Sequence, residues 1–239
     1  MGPHFFTFPE AGLRFLRRLK RNNNREWFLA NKEEYEEVLK KPMEDLVETL
    51  ALEFARFAPE FQASPRASLY RIYRDTRFSK DKTPYKTHVA AVFPPKGLGK
   101  HGGAGFYFHI STRELLIGGG LYMPSPEDLQ AVRTAIASDY PGFKAILQNR
   151  RFRRVFGELS GEQLTRVPRG FPAGHEAAAH LKLKQFLAAR NLSPKVATSP
   201  GFQKTLLETF TTLTPLLRFL NEPILRSQRE AQRKASLLA

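Results

Sequence analysis

Apolar residues recur every third or fourth position near both ends of this chain, and in short dense runs through its middle. That change of period is the first clue to its organisation. From Glu10 to Leu19 the residues Leu13, Phe15, Leu16 and Leu19 make one helical stripe, which Asn22, Asn23 and Asn24 interrupt. Asn23 followed three residues later by Glu26 has the form of a capping box, so a second helix is predicted to start near Asn24. Trp27, Phe28, Tyr35, Val38 and Leu39 keep the helical period. Pro42 lacks the amide that a helix interior needs and is expected to kink or restart the helix before Leu46, Leu50, Phe54 and Phe57.

After Pro65 the pattern shortens. Leu69–Arg74, Val89–Phe93, Phe106–Ile110 and Leu115–Leu121 are rich in aromatic and β-branched residues and read as four strands. The segment 94–105 holds five glycines and two prolines, which suits a long exposed loop, and 111–114 is short enough for a tight turn. Ser125-Pro126 then opens a helix with Leu129, Val132 and Ile136 on one face. Helical spacing returns in Tyr140–Leu147, Phe152–Phe156, Glu176–Leu187 and Phe202–Leu220, with breaks at 168–172 and 193–200. The fold class is α+β, a mainly antiparallel sheet of about four strands flanked by N-terminal and C-terminal helices. One domain is expected over 1–239, with helices in 10–58, the sheet in 66–122, helices in 125–222 and a basic helix or tail in 223–239.

Composition narrows the chemistry. The 239 residues contain no cysteine, which excludes disulfides, a thiolate nucleophile and thiolate zinc sites. No apolar run approaches the roughly 18 residues of a membrane span, and Met1–Phe8 lacks the features of a signal or myristoylation sequence, so the expected compartment is the cytoplasm with no membrane partner. The net charge of +15 favours polyanions or phosphorylated small molecules. Residues 1–120 carry 20 Lys and Arg against 14 Asp and Glu, and residues 121–239 carry 18 against 9, so no detachable tail explains the charge.

Arg71, Tyr73, Arg74, Asp75, Arg77, Ser79, Asp81, Lys82, Tyr85 and Lys86 form the densest polar stretch, at a strand and its exit. Planar guanidinium forks match phosphate or carboxylate oxygens in pairs, and nearby carboxylates can hold the forks in place. Arg71, Arg74, Arg77, Lys82 and Tyr85 are therefore the candidate ligand-binding residues. Asp75 and Asp81 are candidates for orienting acceptor, general base or magnesium ligand, and the residues do not separate these roles. The competing reading is a solvated strand edge with mutually paired charges. Alternation puts Arg71, Tyr73, Asp75 and Arg77 on one face and Tyr70, Ile72 and Arg74 on the other, so the arginines can meet only if the strand ends or bulges near Arg74.

The run from Arg71 through Arg74-Asp75, Arg77-Phe78 and Asp81-Lys82 to Tyr85 resembles the signature of a bacterial family known as domain of unknown function 2461. The resemblance extends to Asn23–Phe28 with Tyr35, Gly118–Gly120 with Pro124, Pro168–Phe171, and His175 with Leu181-Lys182, and so covers nearly the whole chain. Glu176 stands where the family carries proline. The family implies no activity, cofactor or substrate.

Other motifs are weaker. Gly97-Leu98-Gly99-Lys100 is not a phosphate loop, because Pro94 replaces the first glycine and His101 the magnesium-binding hydroxyl. Gly118–Gly120 read as bulge or turn glycines, or else as a close approach of backbone to ligand. His175 and His180 have the wrong spacing for a zinc helix, and no metal site is expected. The four arginines of 149–154 around Phe152 suit either nucleic acid or a solvated helix face. Trp27 and Tyr35 read as core anchors. The function expected is an anion pocket for a phosphorylated or carboxylated small molecule, hydrolase or transferase chemistry being the kind such a pocket serves, with the cofactor undetermined. Non-specific nucleic-acid binding and a protein-interaction module are the alternatives.

Overall fold

The structure is a computed structural model of the 239-residue chain and describes residues 6–237. What was expected of the first five residues and of the last two residues of the C-terminal helix or tail lies outside the described residues. In chain order the elements are α1 (Glu10–Arg21), α2 (Arg25–Ala30), α3 (Lys32–Tyr35), a π-helical turn (Glu36–Lys40), α4 (Lys41–Phe57) and α5 (Pro65–Ser68). Then come β1 (His88–Phe93), β2 (Gly105–Ser111), β3 (Leu115–Leu121), α6 (Pro126–Ser138), α7 (Tyr140–Gln148) and α8 (Arg150–Phe156). The chain closes with α9 (Ala178–Leu181), β4 (Phe186–Leu192), a 3₁₀ turn (Pro194–Val196) and α10 (Phe202–Leu237). The strands form one antiparallel sheet in the order β1-β2-β3-β4, so the fold is α+β with flanking helices. By contacts the chain divides into two compact units, Met1–Phe93 with Tyr107–Ile117 and Asn191–Thr209, and Pro94–Phe106 with Gly118–Arg190 and Phe210–Ala239.

In the first unit the stripe of Leu13, Phe15, Leu16 and Leu19 on α1 is buried, as are Leu46, Val47, Leu50 and Phe54 on α4. Phe54 continues the core toward the sheet, with its ring 4.8 Å from that of Phe93, which in turn faces Phe108. Pro42 restarts the helix: it occupies the first turn of α4, immediately after the π-helical turn. Without an amide, Pro42 cannot close the usual bond to the Val38 carbonyl. That carbonyl faces Gly12, where a Cβ would stand only 2.7 Å away, so α1 packs here only because position 12 has no side chain. The cap of α2 is Asn24, whose side chain accepts the Trp27 amide at 2.9 Å, and not Asn23 as the box pattern suggested.

The expected strand Leu69–Arg74 is absent as a continuous strand. Leu69 bridges Ala91 and Tyr73 bridges Tyr85, with Tyr70 donating to the Ala90 carbonyl, Lys86 to that of Ile72 and Arg74 to that of Pro84. Pairing stops at Pro84, which has no N–H to return the Arg74 bond. The fourth strand is instead β4, in a stretch where the expected helix Glu176–Leu187 shrinks to the four residues of α9. Phe186 and Ala188 are buried while Leu187 and Ala189 are not, a period of two that three-and-four spacing had concealed.

In the second unit, Phe143, Phe186 and Phe219 pack together, and Phe106 lies 5.0 Å from Phe210. Ser125 caps α6 by accepting the Asp128 amide at 3.1 Å. The glycines of β3 are where its neighbours come closest: a Cβ on Gly118 would strike the Ala188 carbonyl, one on Gly119 the Gly105 carbonyl and one on Gly120 the Phe186 carbonyl. Their smallness serves the sheet. The segments read as Phe202–Leu220 and a separate helix or tail are one helix, α10, which runs through Pro215 and Pro223.

Candidate functional site

The segment 69–86 leaves the end of α5, pairs loosely with the chain leading into β1 and carries a loop at 75–83. Regular pairing ends at Arg74, and the side chain of Arg74 turns into the loop. Its Nη1 donates to Asp81 Oδ2 at 2.5 Å, to the Thr83 carbonyl at 3.2 Å and to the Thr83 hydroxyl, and its Nη2 reaches Ser79 Oγ at 3.4 Å. Asp81 also accepts the Thr83 amide at 2.9 Å. Asp75 takes a two-pronged bond from Arg77, at 3.0 Å from Nε and 2.8 Å from Nη2, and accepts its amide at 3.2 Å. Lys82 ties the loop across by donating to the Thr76 carbonyl at 2.9 Å.

These bonds set the carboxylates. The side-chain and then the backbone hydrogen bonds from Arg77 lower the Asp75 pKa to about 2. Asp81 also falls to about 2, chiefly through the Thr83 amide and then through Arg74. Both are ionised acceptors near neutral pH.

The structure thus brings Arg74 together with Asp81, and Arg77 with Asp75, in two separate knots. Tyr85 lies beneath the loop, 3% exposed and stacked on Phe28 at 4.1 Å between ring centres. Phe28 also contacts Tyr35 and Tyr73, and burial followed by the Tyr73, Glu36 and Glu44 side chains pushes Tyr35 up to about 12. Trp27 and Tyr35 pack on Phe15 but stay half-buried, at the edge of the core that Phe15 and Phe28 occupy. Asn23 secures the base by pairing with both the amide and the carbonyl of Tyr85.

Arg71 differs from the other arginines of the cluster. Exposed on the surface, its guanidinium makes no hydrogen bond or ion pair with the protein among the described residues. Lys86 donates to the Arg71 carbonyl at 2.9 Å and lies over the Tyr70 ring. Burial, and then the charge of Arg71, depress the Lys86 pKa. Two cations therefore stand close enough to repel one another.

Next to them the sheet carries polar residues that the sequence reading passed over. His88 opens β1, and Tyr107 and His109 alternate along β2 with the buried Phe106, Phe108 and Ile110. The Tyr107 hydroxyl lies 3.2 Å from His109 Nδ1, His109 Nε2 lies 3.2 Å from Glu114 Oε1, and the His88 and His109 rings are 5.3 Å apart. The signal was available in that two-residue period, since polar residues alternating with buried phenylalanines must share the sheet's other face.

The remaining candidates settle into the fold. Arg150, Arg151, Arg153 and Arg154 are exposed on α8 while Phe152 is buried against Phe156. His180 contacts Tyr140, His175 accepts the Ala177 amide, and among the described residues no cluster of three or more His, Asp or Glu fits a metal ion. Gly97 bends the 94–105 loop at φ 82° and faces open space. No helix among the described residues is long and apolar enough to cross a membrane.

No curated protein and no solved structure matches the chain. A family model described as "Conserved hypothetical protein (DUF2461)" matches residues 11–219, a span that contains all but the first residue of α1, the loop-bearing segment, the whole sheet and the first half of α10. The chain belongs to the DUF2461 family.

Proposed function

We propose that the protein binds a phosphorylated or carboxylated small molecule, with Arg71 and Lys86 as the contacting cations and the 75–83 loop as the rim of the site. The observation that carries this reading is the Arg71–Lys86 pair: Lys86 donates to the Arg71 carbonyl, and its hold on a proton is weakened first by burial and then by the exposed guanidinium, which bonds to no carboxylate among the described residues. An anion placed there would offset that repulsion and match the guanidinium fork. Arg74, Arg77, Asp75, Asp81 and Lys82 brace the loop in this reading, and Tyr85 with Asn23 anchors its base. Asp75 and Asp81 suit the part of fixed acceptors for the guanidinium groups better than that of proton donors, because both remain ionised well below neutral pH.

A metabolite screen by thermal shift on the full chain, with Arg71→Ala as control, tests the reading. Phosphorylated or carboxylated compounds that raise the melting temperature of the wild type and leave that of Arg71→Ala unmoved are expected. A hit set free of anions, or equal shifts in both proteins, would overturn it.

Non-specific nucleic-acid binding is the second reading. The net charge of +15 and the four outward arginines of α8 favour it.

A further inference from the structure

We propose that the sheet face carrying Lys86, His88, Tyr107 and His109 receives the dianionic phosphate group of the ligand, and that His88 takes up a proton as this anion binds. The inference rests on the anion-binding reading above and specifies both its ligand class and its control by pH.

The geometry is a continuous run of polar groups. Lys86 and His88 are two positions apart across the bend at Thr87, and the charge of Lys86 acts on His88. The Lys86 ammonium is 5.2 Å from the centre of the Tyr70 ring, Tyr70 is 6.4 Å from Tyr107, and the Tyr107 hydroxyl reaches His109 at 3.2 Å. His109 closes the run against His88 at 5.3 Å. The titratable or charged groups around His88 are thus Lys86, Arg71, Tyr70, Tyr107, His109 and Glu114. Two carboxylates adjoin this set: Glu114 lies against the far nitrogen of His109, and Asp75, held by Arg77, also feels the charge of Arg71. The set offers the Lys86 ammonium and the His88 imidazole, with the Arg71 guanidinium beside Lys86, while Tyr107 and Glu114 hold the two nitrogens of His109. Such an array suits a tetrahedral dianion, whose several oxygens can each take a donor, better than a carboxylate with two oxygens.

The free protein keeps His88 neutral. Burial, then His109 and Lys86, push its pKa down to about 4. A dianion beside it reverses the local field and raises that value, so a proton enters with the anion. The sign follows from linkage: affinity rises as pH falls from the bound-state pKa of His88 toward about 4, the free-state value, and levels off below it.

Sulfate is the decisive probe, because it remains a dianion while inorganic phosphate changes charge near neutral pH. Calorimetric titration of the full chain with sulfate from about pH 8 to about pH 4, with circular dichroism confirming the fold, should show affinity rising by up to about tenfold per pH unit where one proton is taken up. The His88 ring signal in NMR should titrate near 4 in the free protein and at least about one unit higher with saturating sulfate. His88→Gln should lower the pH dependence and the proton uptake, and Arg71→Ala should weaken sulfate binding at every pH. Sulfate binding with an unmoved His88 signal, or with the same pH dependence in His88→Gln, would overturn this inference and leave the anion reading intact. Binding of citrate without sulfate or phosphate would overturn the phosphate class alone. Failure of all three anions to bind would overturn both.

Discussion

The side-chain amide of Asn23 pairs with both backbone groups of Tyr85, donating to the carbonyl at 2.9 Å and accepting the amide at 3.0 Å across 62 residues of sequence. One carboxamide thus replaces a strand neighbour where regular pairing gives out. Asn221 does the same for Ala104 in the second unit, at 2.7 and 2.8 Å. Asn23→Ala leaves two half-buried backbone groups unpaired and should cost about 2 kcal/mol in urea unfolding. Asn23→Asp should cost at least as much, since the new carboxylate accepts the Tyr85 amide but repels its carbonyl. A loss below about 0.5 kcal/mol in both variants would show that water replaces the clamp.

The two asparagines show where the sequence was legible. A capping pattern at 23–26 located the start of α2 within a residue, because capping is local chemistry. It could not assign Asn23 to Tyr85, because that contact depends on tertiary placement. The runs Val89–Phe93, Phe106–Ile110 and Leu115–Leu121 became β1, β2 and β3, since apolar alternation against a core admits few other readings. Phe186–Leu192 was missed, because short apolar runs fit either period until a neighbouring strand selects one. For the site, the density of charge at 71–86 was visible, but which cations are spent on the loop was not. Arg74 and Arg77 look like Arg71 in sequence and differ in being bonded to a carboxylate. His88 and His109 lie 21 positions apart in sequence and meet only through strand pairing.

The two loop carboxylates should respond differently to loss of their arginines. The Arg77 side chain is the largest cause of the low Asp75 pKa, so Arg77→Ala should return Asp75 most of the way from about 2 toward 3.8. For Asp81 the Thr83 amide leads and Arg74 follows, so Arg74→Ala should move Asp81 less. In both cases the folded-state pKa is depressed, so the stabilising effect is present above 3.8 and is lost as pH falls through about 2. Carboxyl NMR titration checks the order. A larger shift at Asp81 than at Asp75 would contradict these assignments.

Tyr35 governs the alkaline side. Its phenol is raised from 10.0 to about 12, first by burial, so the unfolded chain loses this proton before the folded one does. Stability from this group is complete below 10.0 and declines as pH rises toward about 12. Tyr35→Phe should flatten that decline, by about 2 kcal/mol in the difference between the two proteins across the window. Urea midpoints measured on either side of pH 10, with tyrosinate absorbance followed in parallel, would reveal identical slopes if Tyr35 ionised normally.

Gly120→Ala should be among the most damaging single substitutions in the second unit. Gly120 sits at φ 133°, a conformation that residues with a side chain rarely adopt, and the added methyl would strike the Phe186 carbonyl on β4. Strain and a broken approach between β3 and β4 together predict a loss of about 3 kcal/mol or more. Gly97→Ala is the control: φ is also positive, at 82°, but nothing lies within 4 Å, so only the backbone term of about 1 kcal/mol remains. Equal effects of the two would mean that the packing of β3 on β4 contributes nothing beyond backbone strain.

The two readings of the positive charge predict opposite responses to the same pair of variants. On α8, Arg150, Arg151, Arg153 and Arg154 point outward, and the one ring between them is buried on Phe156, so this face can meet phosphates but presents no aromatic platform for bases. Any nucleic-acid affinity there should be non-specific and governed by counterion release, falling steeply as salt rises from about 50 to 200 mM. Replacing all four arginines with glutamine should lower both that affinity and its salt slope, while Arg71→Ala, removing one contact at most, should change the slope by about 1 or less. For small anions the order inverts, because the Arg71–Lys86 pair is the proposed contact and α8 is not. Fluorescence anisotropy with a labelled DNA duplex, run beside calorimetry with sulfate, compares the two directly. If Arg71→Ala abolished duplex binding while the α8 variant left it unchanged, the cations around Arg71 would be a nucleic-acid surface, and the small-molecule reading would lose its carrying observation.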